Sequence, residues 1–298
     1  MKKIAIIGAN SFLAKNFYTF LVRSNLDRNI DIRLYDMQSS FFSQSDYKYK
    51  QIDFLSVSSI RKIDFNVDYI FFYTGKSGTF VDSTQYKEFI QINETVLLDI
   101  LNAYHEAKSQ AVFVYPSTRL VYASSNDPVS ENSHKQMKSI YAISKFSAEN
   151  YIQLYNRTYG IKYIIFRICV PWGSLLETHK SYGTFQIFSD QAKENGIISV
   201  YGDGTIVKTY SYIEDICNVF YKSMDVPGMI NDIYNVGGHH YSLNQIVSII
   251  GNKYCVPIQH TEWPKSYIAM DGGNVILNSS KLRQFIDIDY KEIREDLI

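Results

Sequence analysis

The sequence contains little cysteine. Its three cysteines, Cys169, Cys217 and Cys255, stand far apart, so they form no metal-binding spacing and cannot all pair in disulfides. This usage is typical of a reduced compartment. We therefore predict a cytoplasmic protein that holds no metal ion.

The sequence also lacks an excess of charge of one sign and any long hydrophobic run. Lysine plus arginine and aspartate plus glutamate number 30 each, which argues against a general binder of nucleic acid or acidic membranes. The apolar residues 4–7 behind Lys2 and Lys3 are too few for a signal peptide, and Gly8 ends them. No run approaches the length of a membrane span, so we predict no membrane segment.

What is present is an ordinary globular composition with alternating strand and helix patterns. The 298 residues suffice for one large or two modest domains. Short apolar runs at 4–7, 69–73, 111–115 and 161–166 and the more polar segments 32–36 and 49–53 predict strands. Helical patterns follow at 12–21, 86–104, 140–155, 185–193, 243–250 and 280–285. This alternation predicts an α/β fold with a parallel, doubly wound sheet.

The first strand leads into a turn and helix that could hold a dinucleotide. Strand, tight turn and helix is the arrangement that places a pyrophosphate on a helix N-terminus. The residues here follow Gly-x-x-Ser-x-x-Ala, with Gly8, Ser11 and Ala14, rather than a full glycine fingerprint. An ordinary strand-to-helix turn is the alternative, although small residues still allow the backbone to approach a ligand closely.

The second and third predicted strands each end near an aspartate. A carboxylate at Asp36 can accept hydrogen bonds from both ribose hydroxyls of an adenosine and would repel a 2′-phosphate, so it favours NAD over NADP. The alternatives are a surface aspartate and an influence of the nearby Arg33. Asp53 is placed to meet an adenine edge. Asn93, on the helix after the fourth strand, is either a surface amide or a prop for the cofactor loops.

The stretch that organises the chain is Tyr141-x-x-x-Lys145. On a helix this spacing puts both side chains on one face. An ammonium beside a phenol favours the phenolate, so the pair can exchange protons near neutral pH. A hydroxyl at Thr118 could hold a substrate oxygen there. In a chain with 25 tyrosines, the pair alone is also consistent with an ordinary solvated helix.

Together these motifs resemble the extended short-chain dehydrogenase/reductase family, in its nucleotide-sugar epimerase/dehydratase branch, over nearly the whole chain. The resemblance implies that Thr118, Tyr141 and Lys145 are catalytic. Thr118 stands four residues before Tyr122 of Val-Tyr-Ala, where the family has Val-Tyr-Gly. The implied cofactor contacts are Gly8, Asn10, Ser11, Phe12, Leu13, Asp36, Asp53, Phe54, Tyr73, Thr74, Gly75, Asn93, Tyr141 and Lys145. The implied substrate contacts are Lys76, Ser117, Thr118, Val200, Tyr201 and Lys208.

The resemblance also implies a domain plan and an assembly. An NAD-binding Rossmann domain is expected over 1–168, with return segments near 207–220 and 230–240. A smaller substrate-binding lobe is expected over 169–298. In it Lys208 meets the substrate diphosphate or is merely solvated on a hairpin, and we interpret His239-His240 as a loop rather than a metal site. By analogy, helices near 86–104 and 140–155 form a four-helix interface in a homodimer.

The implied activity is NAD-dependent 4-epimerisation of a nucleotide-diphosphate sugar. A reductase of nucleotide 4-keto-(6-deoxy)sugars is the alternative, and a catalytically inactive cofactor-binding or scaffold member is a third reading. In dehydratases of the branch an Asp-Glu pair follows the catalytic threonine, whereas this chain has Arg119 and Leu120. Leucine cannot transfer a proton and arginine stays charged, so water elimination is not expected.

Overall fold

The structure is a computed structural model that describes residues 1–41, 48–78, 80, 83–176, 183–270 and 273–294. The strands are β1 (Lys2–Ile7), β2 (Ile30–Asp36), β3 (Lys48–Gln51), β4 (Tyr69–Phe72), β5 (Val112–Thr118), β6 (Lys162–Ile168), β7 (Val170–Trp172), β8 (Ile198–Tyr201), β9 (Val207–Tyr212), β10 (Asp232–Asn235), β11 (His239–Ser242) and β12 (Ile258–Thr261). The α-helices are α1 (Phe12–Arg23), α2 (Val57–Ile60), α3 (Tyr86–Phe89), α4 (Val96–Glu106), α5 (Ile140–Tyr159), α6 (Gly183–Asp190), α7 (Ile213–Ser223), α8 (Leu243–Tyr254), α9 (Lys265–Met270) and α10 (Ser280–Arg283). Among these helices none is long and apolar enough to cross a membrane.

The largest sheet has seven strands in the order β10-β6-β5-β4-β1-β2-β3. β1 pairs in parallel with both β2 and β4, β2 pairs with β3, and β4 pairs with β5. The order of strands reverses between β1 and β4. Open α/β sheets bind their ligands at such a switch point, beyond the carboxyl ends of the strands. The predicted doubly wound, Rossmann-type fold class is confirmed.

Helices cover this sheet on both faces, which explains why its strands read as continuous apolar runs. On one face, Phe17 of α1 packs against Phe71 of β4 with ring centroids 4.7 Å apart. On the other face, Ile7 joins Leu97 of α4 and Ile152 of α5 in a core from which water is excluded. Burying each such side chain stabilises the fold by roughly 1.5–3 kcal/mol, so this packing fixes the strand ends that carry the candidate site.

The contacts of the chain divide it into two compact units. Unit 1 comprises Met1–Ser117, Ser139–Phe166 and Tyr221–Ile233. Unit 2 comprises Thr118–Lys138, Arg167–Phe220 and Tyr234–Ile298. Unit 2 contains a three-stranded sheet in the order β11-β9-β7 and the parallel pair β12-β8. Its own core includes Phe188 of α6 and Ile246 of α8.

The units and the predicted domains assign three parts of the chain differently, one of them being residues 167–168, which fall in unit 2. Residues 118–138 fall in unit 2, because their backbone bonds there, as when Val129 N donates to Ile276 O at 2.7 Å. The return to unit 1 is Tyr221–Ile233 instead of 207–220 and 230–240, because β9 pairs with β7 and β11 of unit 2. The chemical roles assigned to the two domains stay predictions.

Candidate active site

The turn after β1 has a conformation that only glycine accepts without strain. Gly8 has φ +85°, and the backbone N–H groups of Gly8 and Ala9 both donate to Tyr35 O, at 2.8 and 3.1 Å. A Cβ on Gly8 would lie 2.5 Å from Thr74 N. The turn therefore holds the ends of β1 and β4 in close approach at the switch point.

The helix that follows offers an anion site. Ser11 caps α1 by accepting from Ala14 N at 3.3 Å, and the first turn of α1 carries no acidic side chain. Uncapped N–H groups and the helix dipole attract negative charge at such an end. The Thr74 hydroxyl beside this turn is buried and has no hydrogen-bond partner among the residues that the structure describes. These features fit the pyrophosphate of a dinucleotide, with Phe12 and Leu13 supplying first-turn backbone.

The end of β2 presents a carboxylate that the backbone holds in place. Asp36 Oδ2 accepts from Asn10 N at 2.9 Å, and Oδ1 accepts from Gln38 N at 3.0 Å. The guanidinium of Arg33 pairs with Asp31 at 3.3 Å and also with Asp64. Since these carboxylates engage Arg33, the cation on which the Asp36 carboxylate acts is the buried ammonium of Lys15. This arrangement suits a partner that donates hydrogen bonds.

Three other predicted cofactor residues, Asp53, Phe54 and Tyr73, differ in how far their side chains are exposed. Asp53 is exposed, and its Oδ1 accepts from Leu55 N at 2.9 Å within a local turn. Phe54 is buried in the core of unit 1. Tyr73 packs its buried ring on Phe71, with centroids 6.1 Å apart. For Phe54 and Tyr73, only backbone atoms are suited to meet a cofactor.

Asn93 is a prop rather than a surface amide. It is buried in the π-helical turn Ile90–Thr95 between α3 and α4. Its side chain accepts from Lys76 N at 2.6 Å, donates to Lys76 O at 3.0 Å and donates to Ser144 Oγ at 2.9 Å. A Cβ on Gly75 would lie 3.3 Å from Asn93 Oδ1. Asn93 therefore ties the loop after β4 to α5, and π-helical turns often mark such functional positions.

Helix α5 carries the proton-transfer pair. The hydroxyl of Ser139 caps its start by accepting from Ala142 N, and Gly160 ends it in the left-handed conformation. Tyr141 and Lys145 lie one helical turn apart on the same face. Lys145 is buried, with Nζ 4.0 Å from the centroid of the Tyr115 ring. Burial lowers the pKa of Lys145 to about 7, while the carboxylate of Glu149 opposes that shift.

Glu149 is the member of this site that the sequence reasoning missed. It is 0% exposed, and the hydroxyl of Ser117 donates to its Oε1. The available signal was its position four residues after Lys145, which continues the row of Tyr141 and Lys145 along α5. Ser117 thus uses its hydroxyl proton in the hydrogen bond to Glu149. In the predicted substrate contact its hydroxyl oxygen can therefore only accept a hydrogen bond.

Thr118, the last residue of β5, belongs to unit 2. Its Oγ1 accepts from Leu120 N at 3.2 Å and so caps the short 3₁₀ turn Arg119–Val121. That bond occupies a lone pair and does not use the hydroxyl proton, which can therefore be donated to a substrate oxygen. The side chain of Arg119 is itself buried.

The remaining predicted substrate residues belong to both units. Lys76 lies in the loop after β4 in unit 1, and the other three lie in unit 2. Val200 is fully buried in the core of unit 2, so its side chain is not open to a ligand. Tyr201 is exposed and packs on Trp263 with centroids 5.2 Å apart. Lys208 is buried within β9, so the alternative of a solvated hairpin lysine is wrong.

The loop interpretation of His239-His240 is also wrong. Both residues belong to β11, where successive side chains point to opposite faces. His239 Nε2 lies 2.7 Å from Tyr290 O, and His240 Nδ1 lies 3.0 Å from Thr209 Oγ1. Within the described ranges no group of three histidine, cysteine, aspartate or glutamate side chains is arranged to hold a metal ion.

A Rossmann-type sheet with this turn, this carboxylate and a Tyr-Lys pair on one helix defines a class of dinucleotide-dependent enzymes. The chain belongs to the NAD dependent epimerase/dehydratase family, whose model matches residues 4–237. NAD is the cofactor of that family, and the resemblance seen in the sequence is confirmed.

Individual relatives are more distant. A putative UDP-glucose 4-epimerase of Methanocaldococcus jannaschii is 32% identical over 46% of this chain and 47% of that protein. The chain spans about half the length of the first curated relatives it matches. The dTDP-glucose 4,6-dehydratase of Neisseria meningitidis is 22% identical over 82% of this chain and 73% of the relative.

A solved structure extends the likeness of the fold to the whole chain. The UDP-glucuronic acid 4-epimerase of Bacillus cereus, in complex with UDP-glucuronic acid and NAD, has a TM-score of 0.85. It is 19% identical and covers 99% of this chain and 96% of its own. At this identity the likeness concerns the fold alone.

Proposed function

We propose that this chain is an NAD-dependent nucleotide-sugar 4-epimerase. It would oxidise C4 of a nucleotide-diphosphate hexose to a ketone and reduce that ketone on the opposite face. The observation that carries the proposal is the Tyr141–Lys145 pair on α5, in which Lys145 is buried over the ring of Tyr115.

The residues divide the work by their chemistry. The turn at Gly8 and the start of α1 would hold the pyrophosphate of NAD, and Asp36 would hold the adenosine ribose. NAD, when bound, supplies the acceptor for the hydride that leaves C4 and later returns it. Tyr141 removes the proton of the C4 hydroxyl and restores it afterwards. The Lys145 ammonium stabilises the phenolate of Tyr141 during this exchange.

Two of the residues proposed to hold the sugar nucleotide, Thr118 and Lys208, lie in unit 2. Thr118 donates a hydrogen bond to the C4 oxygen and keeps it in place. Lys208 provides positive charge for the diphosphate, although a lysine lacks the bidentate fork of an arginine.

The residues after Thr118 favour epimerisation over dehydration. A 4,6-dehydratase must take a proton from C5 and give one to the leaving hydroxyl at C6, which needs two further acid/base groups. Arg119 and Leu120 stand where dehydratases of the branch carry them, and neither can do this work. One relative named as a putative UDP-glucose 4-epimerase and another named as a UDP-glucose epimerase also support this choice, although a dehydratase matches more of the chain.

The test is product analysis of UDP- and dTDP-hexoses incubated with the protein and no added NADH. We expect the C4 epimer as the product. Turnover only when NADH is supplied together with a 4-keto sugar would support the reductase instead. A 4-keto-6-deoxy product from an unmodified hexose would overturn the argument from Arg119 and Leu120. If none of these sugars is turned over, the protein is better explained as a catalytically inactive family member.

Asp36 is expected to make the protein prefer NAD. The wild type should bind NAD at least about tenfold more tightly than NADP, because the 2′-phosphate would meet a buried carboxylate, and tenfold equals about 1.4 kcal/mol. Asp36→Asn should reduce the ratio of NAD affinity to NADP affinity. Arg33→Ala is the control, since Asp31 and Asp64 already engage that guanidinium. Calorimetric affinities that favour NADP in the wild type would refute the assignment.

The proposed dimer would use exposed apolar side chains of unit 1. Ile143 and Leu154 are 49% and 48% exposed on one face of α5. Tyr86 and Ile90, which precede Asn93 in the sequence, are also exposed. Light scattering at micromolar concentration should give twice the chain mass of 34.5 kDa. Leu154→Glu should produce monomers, whereas Ile187→Glu, at an exposed position of α6 in unit 2, should not. A monomeric wild type would contradict the four-helix interface.

We also propose a cytoplasmic location. Cys169, Cys217 and Cys255 are all free thiols. Proteins of oxidising compartments usually pair their cysteines, so this state supports a reduced environment.

A further inference from the structure

We infer that Glu149 is a positioning residue for the proposed acid/base pair: its buried carboxylate keeps Lys145 charged and, through Ser117, fixes the end of β5 against α5. The inference rests on the proposed function, in which the Lys145 ammonium stabilises the phenolate of Tyr141. Neither the sequence motifs nor the proposed chemistry assigns a role to this carboxylate.

The position of Glu149 demands an explanation. Its side chain is 0% exposed, and an isolated carboxylate in such a place is strongly disfavoured unless it is hydrogen-bonded or faces a positive charge. Both conditions are met. The Ser117 hydroxyl donates to Oε1, and Lys145 lies one turn earlier on the same face of α5.

The titratable groups around the pair come from several elements. On α5 they are Tyr141, Lys145 and Glu149; β5 adds Tyr115, β6 adds Tyr163, and the π-helical turn adds Glu94, which acts on Tyr115. Burial raises the pKa of Tyr115 well above its ordinary value, and it also raises the pKa of Tyr163. Both phenols are therefore neutral near pH 7. The charge that acts on Lys145 is the carboxylate of Glu149.

The charge of Glu149 decides how much of Lys145 is an ammonium at neutral pH. Burial brings the pKa of Lys145 down to about 7, and Glu149 raises it. Without that carboxylate the pKa would fall further, so the amine would lose its proton at a lower pH. Activity that needs the ammonium is lost as the pH rises, and without Glu149 this loss would begin at a lower pH.

The hydrogen bond to Ser117 gives Glu149 a second, mechanical effect. Ser117 directly precedes Thr118, the residue proposed to hold the C4 oxygen. A charge-assisted hydrogen bond is stronger and shorter than a neutral one. It therefore holds the Ser117 backbone at the end of β5 in a fixed place relative to α5.

The experiment separates charge from packing with matched variants. Glu149→Gln keeps the shape and an oxygen that accepts from Ser117 but removes the charge. Glu106→Gln removes the same charge from an exposed pair with Arg61 at the end of α4. The protonation midpoint of Lys145 is read by NMR of ¹³Cε-labelled lysine, with the signal assigned as the one missing in Lys145→Met.

We expect the midpoint to fall by about 1–3 pH units in Glu149→Gln, the usual effect of an adjacent opposite charge. Glu106→Gln should leave it unchanged. An unchanged midpoint in folded Glu149→Gln would overturn the inference. Ser117→Ala keeps the carboxylate, so the protonation midpoint of Lys145 in this variant should stay near that of the wild type. This second variant tests the inference even if Glu149→Gln does not fold. A fall of 1–3 units in Ser117→Ala would show that packing, not charge, controls Lys145.

Activity then distinguishes this inference from the proposed function. The alkaline limb of the kcat profile for the hexose turned over by the wild type should move to lower pH together with the NMR midpoint. If the midpoint moves and the kcat profile does not, the proposed role of Lys145 is wrong, while the control of its charge by Glu149 stands.

Discussion

Tyr141→Phe will reduce turnover by about 10²–10⁴-fold, the range expected for loss of a general acid/base. The substitution removes one hydroxyl from the half-buried side chain near the start of α5 and leaves the ring in place. NAD affinity and the midpoint of thermal unfolding should stay close to those of the wild type. The measurement is kcat for the hexose that the wild type turns over, together with calorimetric titration of NAD.

A control on the same helix shows whether the effect belongs to this hydroxyl. Tyr155 donates to Asn102 Oδ1 at 2.6 Å, away from the proposed chemistry. Tyr155→Phe removes an equivalent hydroxyl from α5 and should leave kcat within about twofold, since it breaks an exposed, structural hydrogen bond. Near-normal turnover in Tyr141→Phe would sink the assignment of the acid/base.

Gly8→Ala will destabilise the protein by about 2–5 kcal/mol. Its φ of +85° costs an L-residue roughly 1–2 kcal/mol. In addition, the new Cβ would lie 2.5 Å from Thr74 N and 2.8 Å from Tyr73 C, both backbone atoms that cannot swing aside. Overpacking of that kind adds about 1–3 kcal/mol. Urea unfolding gives the loss directly, and NAD affinity should fall with it because the turn can no longer close.

Gly160 provides the matched control for the conformational part of that cost. It also has a positive φ, +72°, and ends α5, but a Cβ there would meet no atom within 4 Å. Gly160→Ala should therefore cost only about 1–2 kcal/mol, the penalty of the left-handed conformation alone. Equal losses in the two variants would contradict the close approach of β1 and β4 at Gly8.

The sheet could be predicted from the sequence because each buried strand is a short apolar run. Apolar patterning is a local signal, so strand existence followed from it more reliably than strand ends did. The predicted strand at 49–53 stops at Gln51, and the fifth strand runs on through Pro116 to Thr118. Polar residues at these ends conceal the true limits of the strands.

The site was predicted in part because its motifs are also local. Local sequence patterns are enough to select Gly8, Asp36 and the Tyr141–Lys145 pair as candidates. The buried state of Glu149 does not, because a glutamate on a helix is usually solvated. Its environment is created by β5, whose Ser117 lies 32 residues away in the chain.

The same limit applies to the surroundings of other predicted residues. Phe54 and Val200 were selected from motif positions, yet their side chains fill cores built by distant segments. The surroundings of Asn93 likewise depend on a loop and a helix that contact it only in the fold. The sequence is compatible with both alternatives for Asn93, and only the tertiary contacts distinguish between them.

The central claim is that hydride leaves C4 of a nucleotide hexose and returns to the same carbon. The most direct test is incubation of the protein with UDP- and dTDP-hexoses deuterated at C4, with no added NADH, followed by NMR of the products. We expect the C4 epimer with deuterium retained at C4, and we expect Tyr141→Phe to form this epimer about 10²–10⁴-fold more slowly. Deuterium found at C6 of a 4-keto-6-deoxy product, or an epimer whose C4 label has exchanged with solvent, would contradict it.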